Sequence, residues 1–163
     1  MNSEGENVAG TIKAWWLSSI GDRQSSAART LRARLRRATP IEALMERPVF
    51  LLAQQLGLTD SVRIYRIARV LAEVEADNAR TLMQVLGAGD PPLLSESRFQ
   101  RLMRAEGEDL TTALVRAVSI ADHSGNVAAL GSDLFYWSDR VRTCWAFHYF
   151  GAASPETAKE ISE

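Results

Sequence analysis

Apolar residues return at three- and four-residue steps along nearly the whole chain, and that period narrows its possible folds more than any other feature. Val8, Ile12, Trp15 and Trp16 stand at i, i+4, i+7 and i+8, on one face of an opening helix, with the two tryptophans as core rather than a stacking platform. Leu110, Ala113, Leu114, Ala117, Val118 and Ala121 make the clearest stripe, stopped by Gly125. Val127, Leu130, Leu134, Trp137, Val141, Trp145 and His148 continue it, so residues 127–150 read as one long helix or two collinear ones. No convincing strand, repeat or low-complexity tract interrupts the pattern, and an all-α fold follows.

Punctuation divides the pattern. GDRQSS (21–26) reads as a loop, after which Ala28, Leu31, Leu35 and Ala38 form a narrow stripe on a helix whose remaining circumference is arginine. TPIE (39–42) is a helix start, with Thr39 as N-cap, Pro40 at the first position and Glu42 placed to complete a capping box. Pro48 interrupts that helix; Phe50, Leu52, Ala53 and Leu56 then form a short buried one closed by Gly57. A long helix is expected from Ser61 to Leu86, with Val62, Tyr65, Ala68, Leu71 and Ala72 on one side and Arg63, Arg66 and Arg69 on another. GAGDPPLL (87–94) has two glycines, two prolines and no period, and marks the candidate boundary between two small helical bundles, 1–86 and 95–163. Beyond it Ser95 caps a helix with Phe99, Leu102 and Met103 facing in, Gly107 ends that helix, and SPET (154–157) starts a short tail.

Composition removes several function classes. With 46% hydrophobic and 24% charged residues among 163, the chain can bury a sizeable core, and disorder is not expected. The longest apolar runs, such as VFLLA (49–53), fall far short of the roughly 20 residues that cross a bilayer, and MNSEGENV lacks the plan of a signal peptide. A cytoplasmic protein with no membrane partner is expected. The single cysteine, Cys144, excludes an internal disulfide and a cysteine-based metal cage.

Catalytic groupings do not emerge. His123 beside a helix end and His148 on an apolar face have no metal-ligand spacing, and Cys144 beside Trp145 reads as a small core residue. GAGD lacks the Gly-Lys-Ser/Thr of a phosphate loop and follows no strand. Glu73, Glu75 and Asp77 face different directions and are expected to be solvated. LLAQQLGLTDSVRIYRIARV suggests a helix-turn-helix, but that motif's second helix would have to bury Arg63 and Arg66, so the register fails. Neither an enzyme nor a cofactor is expected.

What remains is arginine. In RTLRARLRR (29–37) five of nine residues are arginine, and no acid occurs from Arg23 through Arg37. These six arginines contribute +6 to a net charge of -1, which leaves -7 on the rest. Lys13 and Lys159 are the only lysines among 19 basic residues; guanidinium suits phosphate, though a GC-rich genome gives the same bias. Further arginines recur at 63–69, 98–104, 116 and 140–142, mostly off the apolar stripes. Singly they read as solvated helix faces paired with neighbouring acids, but no local acid neutralises 23–37. An anionic polymer would offset that repulsion, and so would an acidic protein docked on a helical scaffold.

W(15)W(16), LRRATPIEAL (35–44), P(48)VF, SESRFQRLMRA (95–105), LVRAV (114–118) and DLFYWSDRVRTCWAFHYFG (133–151) together resemble the small subunit of the type I-E CRISPR surveillance complex Cascade, the CasB family. The resemblance implies a non-catalytic protein of two helical bundles, paired head to tail with a second copy. Its partners would be the CRISPR RNA, the target and displaced DNA strands, and the other Cascade subunits. It implies nucleic-acid contacts at Arg36, Arg37, Arg98, Arg116 and Arg140, with Arg63 matched in the less similar middle region. Arg101, Arg104 and Arg142 join them by spacing. The sequence departs from the family at Asp139, directly before Arg140, where the family is more basic.

Overall fold

Short polar side chains set where most helices begin. In the structure, a computed structural model that describes residues 3–151, the order is α1 (Ser3–Ser19), α2 (Ser26–Leu35), α3 (Pro40–Met45), α4 (Arg47–Leu56), α5 (Ser61–Glu73), β1 (Ala76–Asp77), α6 (Leu82–Leu86), α7 (Glu96–Arg104), α8 (Gly107–Ile120), β2 (Ser124–Gly125), α9 (Val127–Phe135) and α10 (Asp139–Tyr149). Ser25, Thr39, Asp60, Thr81, Ser95, Asn126 and Ser138 each accept a backbone N–H one turn into the helix they open, satisfying donors that have no intrahelical partner. The tail reading at 154–157 lies outside the described residues.

Helix α5 is the hub, packed against α2, α3, α4, α8 and α9. It is apolar on more of its circumference than a two-sided pattern suggests, with Ile64, Ile67, Ala68, Val70, Leu71 and Ala72 all buried and Val62 exposed. The opening helix α1 lies along α9 and touches α4 and α2. Its tryptophans are core, as expected, and both are anchored: Trp15 Nε1 donates to the Pro48 carbonyl at 2.9 Å and Trp16 Nε1 to the Leu71 carbonyl at 3.1 Å. Where α1 crosses α9 the backbones approach so closely that a Cβ on Gly131 would stand 2.4 Å from Ile12 Cγ2. Apolar side chains from both sides of residues 87–94 meet in one core. The 87–94 segment is pinned to it, Leu94 N–H donating to the Leu86 carbonyl at 3.0 Å and Tyr149 Oη to the Leu94 carbonyl at 2.6 Å.

Several local readings are settled or changed by the structure. The helix expected over Ser61–Leu86 ends at Glu73, and α6 starts afresh at a capping box in which Thr81 and Gln84 satisfy each other's backbone donors. Between them β1 pairs in parallel with β2, Ala76 opposite Ser124 and Asp77 opposite Gly125, a two-residue ladder too short to leave an alternation in sequence. Asp122 and His123, both at φ near +60°, turn the chain out of α8 and aim β2 at β1. Of the two readings of 127–150, the structure has two helices, because Ser138 caps α10 and leaves residues 136–138 outside either one. Phe50, expected inside, is 49% exposed, and Val49 takes the buried place; Pro48 belongs to the first turn of α4 rather than interrupting α3.

At the far end of α9 and α10 an aromatic group closes the core. Trp137 and Trp145 meet edge to face with centroids 4.9 Å apart, and Phe99 stacks on Tyr149 at 4.0 Å. Trp145 Nε1 donates to Asp133 Oδ2 at 2.7 Å. Burial pushes the Asp133 carboxyl up to about 6, with the Trp145 hydrogen bond pulling the other way.

Candidate nucleic-acid interface

The arginines fall into two populations, those consumed by the fold and those left at its surface. Arg32, in the middle of the acid-free run, is 9% exposed, and its Nη2 donates to the carbonyls of Ile20 at 2.6 Å and Val74 at 3.3 Å. These carbonyls end α1 and α5, so the guanidinium stitches two helix C-termini together, where positive charge is favoured. Arg66 is 7% exposed; its Nε donates to Thr111 Oγ1 and its Nη2 to the Gly107 carbonyl, both at 3.0 Å, which joins α5 to α8. Burial lowers the pKa of both guanidinium groups.

Acids distant in sequence also reach the arginine helix. Arg23 pairs with Glu75, Arg34 with Glu46 at 3.6 Å, and Arg36 Nε with Glu73 Oε2 at 3.5 Å. Glu73, Glu75 and Asp77 are therefore not simply solvated: Glu73 also takes Arg69 at 2.9 Å and lies 3.7 Å from His123 Nδ1, and Asp77 takes Lys13 at 3.3 Å. The +6 of residues 23–37 is partly neutralised by tertiary contacts that no local reading could supply.

Of the nine arginines singled out from sequence, Arg98, Arg101 and Arg116 come together. They rim a groove of about 480 Å³ between α7 and α8, floored by Leu94, Leu102, Ala113, Ala117 and Ile120, with Ser119 at its edge. All three are exposed, and none forms an ion pair with a carboxylate among the described residues. Arg104 is exposed on the same helix but does not line the groove. Arg37 lies elsewhere, with Arg29 and Arg34 around an open hollow of about 390 Å³ on the outer face of α2 that contains no acid. Arg29 and Arg34 were not among the nine, although the acid-free run contains both.

The other members are more committed to the fold. Arg63 Nη1 donates to the Phe135 carbonyl at 2.9 Å, joining α5 to the last turn of α9. Arg142 is half-buried, 5.3 Å over the Trp137 ring and 3.0 Å from Asp139 Oδ1. Asp139 thus compensates Arg142, and Arg140 remains exposed beside it. The α7–α8 groove brings three of the predicted contacts onto one surface.

A family model for the CRISPR-associated protein Cse2 matches residues 31–150, a span that takes in the α7–α8 groove and the second half of α2. The chain belongs to the Cse2 family. The fold is similar to that in the crystal structure of CasB from Thermus thermophilus, with 24% identity and a TM-score of 0.64, covering 93% of this chain and 100% of that one. The comparison with curated proteins gives no match. Membership places the chain in Cascade as a non-catalytic subunit. Among the described residues no helix is long and apolar enough to cross a membrane, and no group of three or more His, Cys, Asp or Glu is placed to hold a metal ion.

Proposed function

We propose that this Cse2-family chain is a nucleic-acid-binding subunit that contacts guide RNA and target strand and stabilises the displaced DNA strand through arginine patches. The observation that carries the reading is the α7–α8 groove, where Arg98, Arg101 and Arg116 converge without a carboxylate among the described residues. Arg37 with Arg29 on α2 is a second patch; Arg104 and Arg140 extend the exposed set, while Arg36, Arg63 and Arg142 can engage phosphate only by sharing or leaving an existing partner. Phosphate contacts of this kind hold a backbone in place without reading bases, as a subunit following a guide-paired duplex needs.

In this reading two copies pair head to tail in the cytoplasm and join their patches into one track, docked against the other Cascade subunits. Residues 1–86 and 95–163 are two helical units sharing one core, and 87–94 connects them. The test is fluorescence anisotropy with labelled single-stranded DNA, single-stranded RNA and duplex across a salt series. The triple variant R98A/R101A/R116A should weaken binding about equally across sequences. It should also flatten the slope of log affinity against log salt by about 0.7 to 0.9 for each lost phosphate contact. An unchanged slope in a folded triple variant refutes the groove as the site. Loss of binding to an acidic Cascade subunit, with nucleic-acid binding intact, would instead identify a protein-docking face.

A further inference from the structure

The two arginine surfaces differ in what lies between their guanidinium groups. On α2 the space among Arg29, Arg34 and Arg37 is lined by Ser26, Thr30 and Ala33, with no large apolar side chain. Between α7 and α8 the space beneath Arg98, Arg101 and Arg116 is aliphatic. Leu94, Leu102 and Ala117 close its bottom, and the half-buried Ala113 and Ile120 leave apolar surface open to whatever enters. A grip on phosphate needs the cations alone, so the floor has no part in it.

In a nucleotide strand every negative charge comes with a flat, largely apolar ring one sugar away. A rim that holds successive phosphates therefore brings rings over the floor, provided they are not paired. In a duplex the rings are stacked and paired inward, and the floor meets nothing. The cavity of about 480 Å³ falls within the range of pockets that enclose small molecules. Ser119 at its edge supplies a hydroxyl for the polar rim of a base, and no carboxylate lines it to oppose the phosphates.

We propose that the α7–α8 groove seats an unpaired nucleobase on its aliphatic floor, with the flanking phosphates held by Arg98, Arg101 and Arg116. The seating rests on the function proposed above and deepens it. It makes this groove selective for unpaired strand, whereas the α2 hollow takes phosphate from paired and unpaired strands alike. Because the floor is aliphatic, the contact is hydrophobic rather than ring stacking, and it adds affinity without choosing among bases.

The test compares two labelled oligomers of equal length and charge by fluorescence anisotropy: oligothymidylate, and the same deoxyribose phosphate chain without its bases. The parent protein should bind oligothymidylate about three- to tenfold tighter. The two salt slopes should be equal, because the phosphates are the same and the base contact is uncharged. A113L fills the groove and should erase the preference, leaving affinity for the baseless chain and for duplex unchanged. I120A strips the floor instead and should reduce the same preference, so the result does not hang on how one variant folds. R29A/R37A should weaken both oligomers alike and keep the preference. Equal affinity of the parent for the two oligomers overturns the seating and leaves the proposed function standing. A preference that survives in folded A113L and I120A overturns it as well, and so does a loss in those variants shared equally by both oligomers. If the parent binds neither oligomer at low salt, the function proposed above falls and the seating falls with it.

Discussion

Asparagine at position 133 should stabilise this protein at neutral pH and do nothing in acid. Asp133 accepts from Trp145 Nε1 at 2.7 Å, and burial raises its carboxyl from an ordinary 3.8 to about 6. The folded state therefore favours the protonated form. Its contribution to stability is fully present below pH 3.8 and is lost as pH rises through about 6, above which the buried charge is a constant cost. At 1.36 kcal/mol per unit, the shift corresponds to a cost of about 3 kcal/mol at pH 7 and above. Asparagine keeps an Oδ1 for the tryptophan and never ionises. D133N should thus match the parent near pH 3.5 and exceed it by up to about 3 kcal/mol above pH 7, roughly 6–12 °C in Tm for a chain of this size. Urea denaturation of both proteins from pH 3.5 to 8, followed by circular dichroism, gives the difference with other titrating groups cancelled. A difference independent of pH, or a variant less stable at pH 7.5, would falsify the assignment of that cost to the buried carboxylate.

The packing and the arginines give sharper local tests. G131A drives a Cβ into Ile12 Cγ2 at 2.4 Å between two tightly packed helices and should cost about 1–3 kcal/mol in urea midpoint analysis. R32A removes the donor to the Ile20 and Val74 carbonyls and should destabilise by about 1–3 kcal/mol, whereas R37A, just past the end of the same helix, should stay within about 0.5 kcal/mol of the parent. Equal losses in the two variants would contradict the division between structural and surface arginines. T81A breaks the capping box and should cost about 1 kcal/mol, seen as faster amide exchange concentrated in α6.

Sequence reasoning succeeded where the signal is local. The helical period and caps such as Thr39 and Ser95 depend on residues within a turn of one another, and they recur in the structure. The break after Glu73 was legible in principle, since TLMQ (81–84) carries a capping-box spacing, but the apolar stripe running through it masked the signal. The fate of individual arginines was not legible. Arg32 is buried because α1 and α5 end with carbonyls pointing at it, and Arg36 is paired because Glu73 arrives from another helix. The convergence of Arg98 and Arg101 with Arg116 likewise depends on how α7 lies against α8, which spacing within either helix does not encode.

The contact between Ile12 and Gly131 also sets an order of events during synthesis. Helix α1 is made well before α9, against which it packs, and at 5–20 residues per second the ribosome needs roughly 6 to 24 s to travel from Ile12 to Gly131. For that interval the face of α1 that meets α9 lacks that partner, and the nascent chain carries part of an apolar stripe uncovered on α1. Closure of α1 against α9 is therefore a late event in the life of each molecule, whatever the speed of the individual helices.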